Sequence, residues 1–152
     1  MKNKGDLKYF TGIRATKLPP PFPAYYGNDE FFFVSYAHKD CEDVFPILEK
    51  LSQNGILLWY DEGLQAGKDW FEYMREKINR SAGFLVFLST RYIDSPHAMK
   101  EFEFALEKKK KIIPIKIQDV QIPSKIEEIF LQRQITCLDV NDTNFVEEIR
   151  FF

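Results

Sequence analysis

Little in this chain can build a metal centre or a disulfide framework. Cys41 and Cys137 are its two cysteines, and His38 and His97 its two histidines. They form no CxxC pair and no Cys/His cluster, so both cysteines are read as reduced structural thiols and no metal is expected. The expected setting is the cytoplasm. Long apolar runs are also missing. The longest are about seven residues, against the roughly 20 that a membrane-spanning helix needs. The segment after Met1 has no apolar stretch of the signal-peptide kind, and no membrane is expected as a partner. Excess charge of one sign is absent too: 21 Lys and Arg stand against 23 Asp and Glu, for a formal net charge of −2. That balance leaves no electrostatic footprint for nucleic acid. Neither GxGxxG nor GxxxxGKS/T nor GxSxG occurs. A Rossmann phosphate loop, a P-loop and a hydrolase elbow are therefore not expected.

What is present is a core. A hydrophobic content of 45% with 16% aromatics, in 152 residues, fits one globular domain. Residues 1–28 are polar and then Pro-rich at Leu18 to Pro23, where fixed φ and missing donors disfavour helix and central strand; they are read as a tail or linker. A stiff spacer is the simpler reading of that run, and a ligand for a proline-recognition module the less economical one. Beyond it, apolar strands at Phe31 to Tyr36, Gly55 to Tyr60, Gly83 to Ser89, Ile112 to Ile117 and Ile135 to Val140 alternate with helical patterns. Pro46 predicts that the first helix starts near Asp43, because proline is tolerated in a first turn. Ser124 with Glu127 has capping-box spacing, and Asn144 with Glu147 is read as the start of a last helix. That helix stops at Phe152 with an apolar end, which predicts a natural chain that continues. Lys108 to Lys111 read as a solvated helix end. Pro114 removes a ladder donor and predicts an edge or a strand end. The alternation predicts an α/β fold: a flavodoxin-like five-stranded parallel sheet with helices on both faces.

One stretch concentrates chemistry. Ser95 followed by Pro96 is a strong helix start, since Ser95 can cap free N–H groups and Pro96 at the first position loses no hydrogen bond. Glu101 then falls in the second turn, beside the apolar stripe of Met99, Phe102 and Leu106. The helix follows the run Gly83 to Ser89, which has the character of a strand buried on both faces. Ligands of open α/β sheets bind beyond the carboxyl ends of strands, so Glu101 is a site candidate. An arbitrary Glu is ordinarily solvated surface, and the weight of this one depends on its company. The other strand ends carry Ser35, Tyr36 and His38, then Asp61, Glu62 and Trp70, then Ser89, Tyr92 and Ser95.

In FFFVSYAHKD, LWYDEGLQAGKDW and FLSTRYIDSPHAMKEFEFAL the chain resembles the TIR (Toll/interleukin-1 receptor) domain, the bacterial type above all. These stretches are similar to the first box, the BB loop and the Ser-x-x-Tyr-x-x-Ser...Glu segment, in that order. The resemblance covers Asp29 to Phe152, so 29–152 is the expected TIR domain. It implies an NAD+-cleaving enzyme, a nucleosidase of the nicotinamide-ribose bond that yields ADP-ribose or a cyclic isomer, with Glu101 as the catalytic carboxylate. It also implies NAD+ as substrate with no cofactor, and a cleft lined by Ser35, Tyr36, His38, Glu62, Gly67, Trp70, Ser95 and His97. Homo-oligomers formed through the BB loop, Asp61 to Asp69, and a role in bacterial antiphage defence complete the implied picture. Ser95 is already explained as a helix cap, and Tyr36 and Trp70 are equally readable as rim aromatics. The chain departs from the family pattern at His97 and Ala98, where Trp-Cys is common; imidazole offers less stacking area than indole. Two other readings stand beside the enzyme: a non-catalytic module that signals by TIR–TIR association, and a nucleoside deoxyribosyltransferase-like reaction on a similar fold.

Overall fold

The computed structural model describes residues 10–14, 16–66 and 70–152. Its centre is a row of aromatics that the strand register forces into contact. Strand β1 (Phe10–Arg14) precedes β2 (Phe32–Ser35), helix α1 (Cys41–Gln53), β3 (Leu58–Tyr60), β4 (Leu64–Ala66) and α2 (Trp70–Arg80). Then come β5 (Gly83–Leu88), the short α3 (Thr90–Ile93), α4 (Pro96–Glu107), β6 (Ile112–Lys116), α5 (Ser124–Gln132) and α6 (Phe145–Arg150). Strands β3, β2, β5 and β6 form a parallel sheet in that order. The in-register partners of Phe33 are Trp59 and Phe84. Its ring stacks on both, with centroids 5.2 and 5.4 Å away. Trp59 in turn meets Tyr73 of α2 edge-on, so this face of the sheet is the one α2 covers. Alternation sends Tyr60 the other way, against Phe45 of α1. The chain thus runs outward from β2 to β3 and returns across to β5, which puts helices on both faces and a switch in winding direction between β2 and β5. Glu101 and Ser35 lie at the carboxyl end of that switch.

Several sequence expectations change in detail, each for a local reason. Four strands rather than five make the sheet, because the stretch from Ile135 to Val140 contributes one parallel bridge, Leu138 to Ile115. Pro114 explains this. Its carbonyl points to that side and accepts from Leu138 N at 2.8 Å, so its nitrogen points there too and has no hydrogen to continue the ladder. Helix α1 begins two residues before Asp43, placing Pro46 in its second turn, where the carbonyl left without a donor belongs to exposed Glu42. Strand β3 is shorter than expected: Gly55, at φ +82°, closes α1, and the chain extends again only at Leu58. Ser124 lies inside α5 behind Pro123, without a side-chain cap, and Asn144 precedes α6 without one. Lys110 is tied to the end of α2 through Asn79 O and Ser81 O at 2.7 and 2.8 Å, and burial lowers its pKa.

The segment expected as a tail is structured in part. β1 pairs antiparallel with β4, inside the stretch read as a loop. Tyr25 N donates to Leu58 O at 2.9 Å, Tyr60 Oη donates to Phe22 O, and Phe22 packs edge-on against Tyr60. This Pro-rich run therefore lies along the outer edge of β3. Among the described residues no helix is long and apolar enough to cross a membrane. The aromatic row carries a test of the fold: Phe33→Ala removes a fully buried ring from between two others and should cost about 3–5 kcal/mol of unfolding free energy. Urea unfolding should show this as a lowered midpoint with an unchanged slope.

Candidate active site

Sheet alternation aims Ser35 at the helix that carries Glu101. Ser35 lies two residues after Phe33 and so on the same face of β2, the one covered by α2 and α4. Its hydroxyl donates to Glu101 Oε1 at 3.2 Å. Tyr92 Oη is 2.7 Å from Ser35 Oγ and 3.3 Å from Ala98 O, so a buried chain of hydroxyls leads from α3 to the carboxylate. Local sequence holds each member. Ser89 caps α3 by accepting from Tyr92 N, and Ser95 caps α4 by accepting from Ala98 N at 3.2 Å behind Pro96. Helical periodicity then turns Glu101 inward with Ala98, Phe102 and Ala105, all buried.

Glu101 is 8% exposed. Burial holds its carboxyl well above the usual carboxylate range, and the nearby charge of Asp61 adds to this, while the Ser35 hydrogen bond opposes it. It sits in a cavity of about 480 Å³ beyond the ends of β2, β3 and β5. Tyr36, His38, Trp70, Ser95 and His97 line the same space. Tyr36 donates its phenol proton to Asp61 O at 2.5 Å, and burial raises its pKa well above the usual tyrosine value. His97 and Trp70 meet at nearly right angles with centroids 4.9 Å apart, which builds an indole–imidazole corner from two different helices. Trp70 Nε1 is buried without a hydrogen-bond partner among the described residues.

Three expected residues are placed otherwise. Ser35 is fully buried and supports Glu101 from behind without lining the cavity. Glu62 does not line the cavity; its Oε1 accepts from Ala24 N at 3.2 Å and so ties the N-terminal run to the end of β3. Gly67 lies outside the described residues. Four charged lining residues were not among the candidate ligands: Lys39, Asp61, Arg91 and Asp94. Asp61 stood at a strand end in plain view. Lys39 and Arg91 carried no motif, and what brings them together is long-range: Arg91 Nη1 reaches Lys39 O at 2.7 Å and Asp40 Oδ1 at 3.3 Å, while Ser89 Oγ donates to Asp40 Oδ2. The loops after β2 and β5 are thereby locked together beneath the cleft. Among the described residues no group of three or more His, Cys, Asp or Glu side chains could hold a metal ion.

The buried carboxyl makes stability depend on pH in a defined direction. Folding raises the affinity of Glu101 for its proton, so between the ordinary glutamate pKa and the higher folded value the native state binds more protons than the unfolded chain. This group's effect on stability is most favourable below the unfolded pKa and is lost as pH rises through the folded one. Glu101→Gln should therefore raise the urea midpoint at neutral pH and leave it nearly unchanged near pH 4. A greater gain at acid pH would contradict the assignment.

Comparison with known proteins places this geometry. The family model described as TIR domain matches residues 32–150. The chain is similar to the TIR domain of the Toll-related receptor TRR-2 from Hydra magnipapillata, at TM-score 0.63 and 21% identity, over 79% of this chain and 94% of that one. It is also similar to the CMP N-glycosidase BcmB of Clostridium botulinum, at TM-score 0.56 and 15% identity, over 80% and 99%. TIR domains of the activated Roq1 resistosome, which recognises the pathogen effector XopQ, give TM-score 0.60 and 19% identity over 81% and 98%. No curated protein matches the chain. With the family model spanning most of its length, the chain belongs to the TIR domain family.

Proposed function

We propose that this TIR domain is an NAD+ nucleosidase that cleaves the nicotinamide-ribose bond and releases ADP-ribose or a cyclic isomer. The observation that carries the reading is Glu101: a buried carboxylate at the inner end of a cleft, fixed by Ser35 and screened from water. Rupture of an N-glycosidic bond builds positive charge on the ribose, and a preorganised anion beside it stabilises that charge most in the transition state. Nicotinamide leaves from a cationic ring, so its departure needs no proton donor and one carboxylate suffices. The cavity has the volume of an ordinary small-ligand site. Trp70 and His97 offer ring faces and edges at its border, and Lys39 and Arg91 offer positive charge to a pyrophosphate. That the fold can act on this type of bond is supported by the Clostridium botulinum N-glycosidase, which shares it. A cytoplasmic enzyme of bacterial antiphage defence is the setting we propose for this activity.

TIR–TIR association is the second reading, and the two are compatible. The Roq1 TIR domains come from an activated assembly. In this chain residues 64–66 of the stretch from Asp61 to Asp69 form β4, which pairs with β1. A homo-oligomer joined through it could complete the cleft at high protein concentration.

The two readings separate by nicotinamide release from NAD+ at high domain concentration. Wild type should turn over, and Glu101→Gln should fall by about 10³-fold, the size of effect seen when one transition-state contact is removed. Equal rates would sink the enzymatic reading. The cationic ring of bound NAD+ should also favour the ionised carboxylate. The rise of kcat with pH should thus lie at lower pH than that of kcat/KM, which reports the free enzyme with its raised Glu101.

A further inference from the structure

Departure of nicotinamide needs no proton donor, but attack by water releases a proton that a base must take, and Glu101 is committed to the developing positive charge. A second protonatable group lines the same cleft from the β3 side. His38 follows β2, and its Nε2 lies 3.0 Å from Asp61 Oδ2. The two differ in exposure: the His38 side chain is 29% exposed and that of Asp61 8%. Asp61 is fixed at three points. Its Oδ1 accepts from Gly63 N at 2.9 Å, its backbone carbonyl accepts from Tyr36 Oη, and its Oδ2 faces the imidazole. A buried carboxylate accepting from Nε2 selects one ring orientation and one tautomer, with hydrogen on Nε2 and the lone pair on Nδ1. A tie between two loops would need neither the burial of Asp61 nor an imidazole on the cavity wall.

We propose that His38, oriented by Asp61, is the general base that activates the acceptor water in the cleft of Glu101. The inference rests on the NAD+ reading above. As the bond between C1′ and the nicotinamide nitrogen breaks, its electron pair returns to the ring, which leaves neutral. A lone pair of the water oxygen forms the new bond to C1′, and the proton of that water moves to Nδ1 of His38, from which it passes to solvent. NAD+ and water become ADP-ribose, nicotinamide and one proton, with no change of oxidation state. A base of this kind favours water over an adenine ring nitrogen, which has no proton to lose, so linear ADP-ribose is the expected main product.

A pyridine acceptor separates this role from a structural one. 3-Acetylpyridine attacks C1′ through a nitrogen lone pair and loses no proton, so exchange of the base needs no general base. Wild type, His38→Ala, His38→Gln, Asp61→Asn and Glu101→Gln are compared with NAD+ in the presence of 3-acetylpyridine. In both His38 variants the ratio of ADP-ribose to exchanged dinucleotide should fall by about 10²-fold, the lower end of what general base catalysis contributes. Asp61→Asn should shift the ratio the same way by less, and Glu101→Gln should lower both products together. Free imidazole should restore hydrolysis to His38→Ala and not to Glu101→Gln. His38→Gln keeps a hydrogen-bond donor toward Asp61 and serves if the alanine variant does not fold. An unchanged ratio in a folded His38 variant overturns the assignment while leaving Glu101-dependent turnover standing. Wild type that forms neither product overturns the NAD+ reading and this inference with it.

Discussion

Glu101 is an acid removed from water at the end of a parallel sheet, with Ser35 as its donor among the described residues and the charge of Asp61 nearby. Burial of that kind opposes ionisation, and only a rigid surround can keep it in place. The fold supplies one. Strand β5 is buried along its whole length, so the loop after it leaves from a fixed point. Ser89 and Ser95 each close a helix turn, and Tyr92 between them is wholly buried. Helix α4 can then neither slide nor rotate without breaking the Ser35–Glu101 and Tyr92–Ala98 hydrogen bonds or exposing Phe102 and Ala105. The carboxylate is strained electrostatically rather than sterically: its backbone is ordinary helix, and the cost is one of solvation.

The two walls of the cleft divide the chemistry by their distance from water. On the α4 side, Glu101 is dry and suited to stabilising charge. On the β3 side, His38 is partly exposed and can exchange protons with solvent, while its partner Asp61 is buried. Asp61 couples the two, since it raises the Glu101 pKa and holds the imidazole at once. One buried side chain therefore bears on both walls of the cleft.

How much of this the residues foretold depends on how local the cause is. Ser95, Pro96 and the placement of Glu101 were legible because caps and helical periodicity act within a few residues. Gly83 to Leu88 was legible because a strand buried on both faces leaves a continuous apolar run. Glu62 and Asp61 show the limit. Adjacent residues at a strand end point to opposite sides, and nothing within the stretch says which carboxylate meets the cleft and which meets Ala24. The pairing of β1 with β4 was hidden for a similar reason, since its partners lie far apart in sequence and β4 lies in a stretch with a glycine at each end. Pro114 was read correctly as a ladder breaker, yet its consequence for the fifth strand appears only once Leu138 is seen beside it.

The N-terminal run connects these observations. Gly63, at φ +93°, has Thr16 so near that a Cβ added there would lie 2.1 Å from the threonine hydroxyl oxygen. Any other side chain at 63 would both strain the backbone and push the run away. The same turn sends Gly63 N to Asp61 Oδ1, while Glu62 takes Ala24 N on the opposite side. Three consecutive residues, Asp61 to Gly63, thus bind the cleft with one carboxylate, the N-terminal run with the next, and make room for Thr16 with the third. The orientation of Asp61 is for this reason not a property of β3 alone. It is set jointly by the sheet edge and by the segment laid along it, which makes residues 16–24 part of the support of the cleft although none of them lines it.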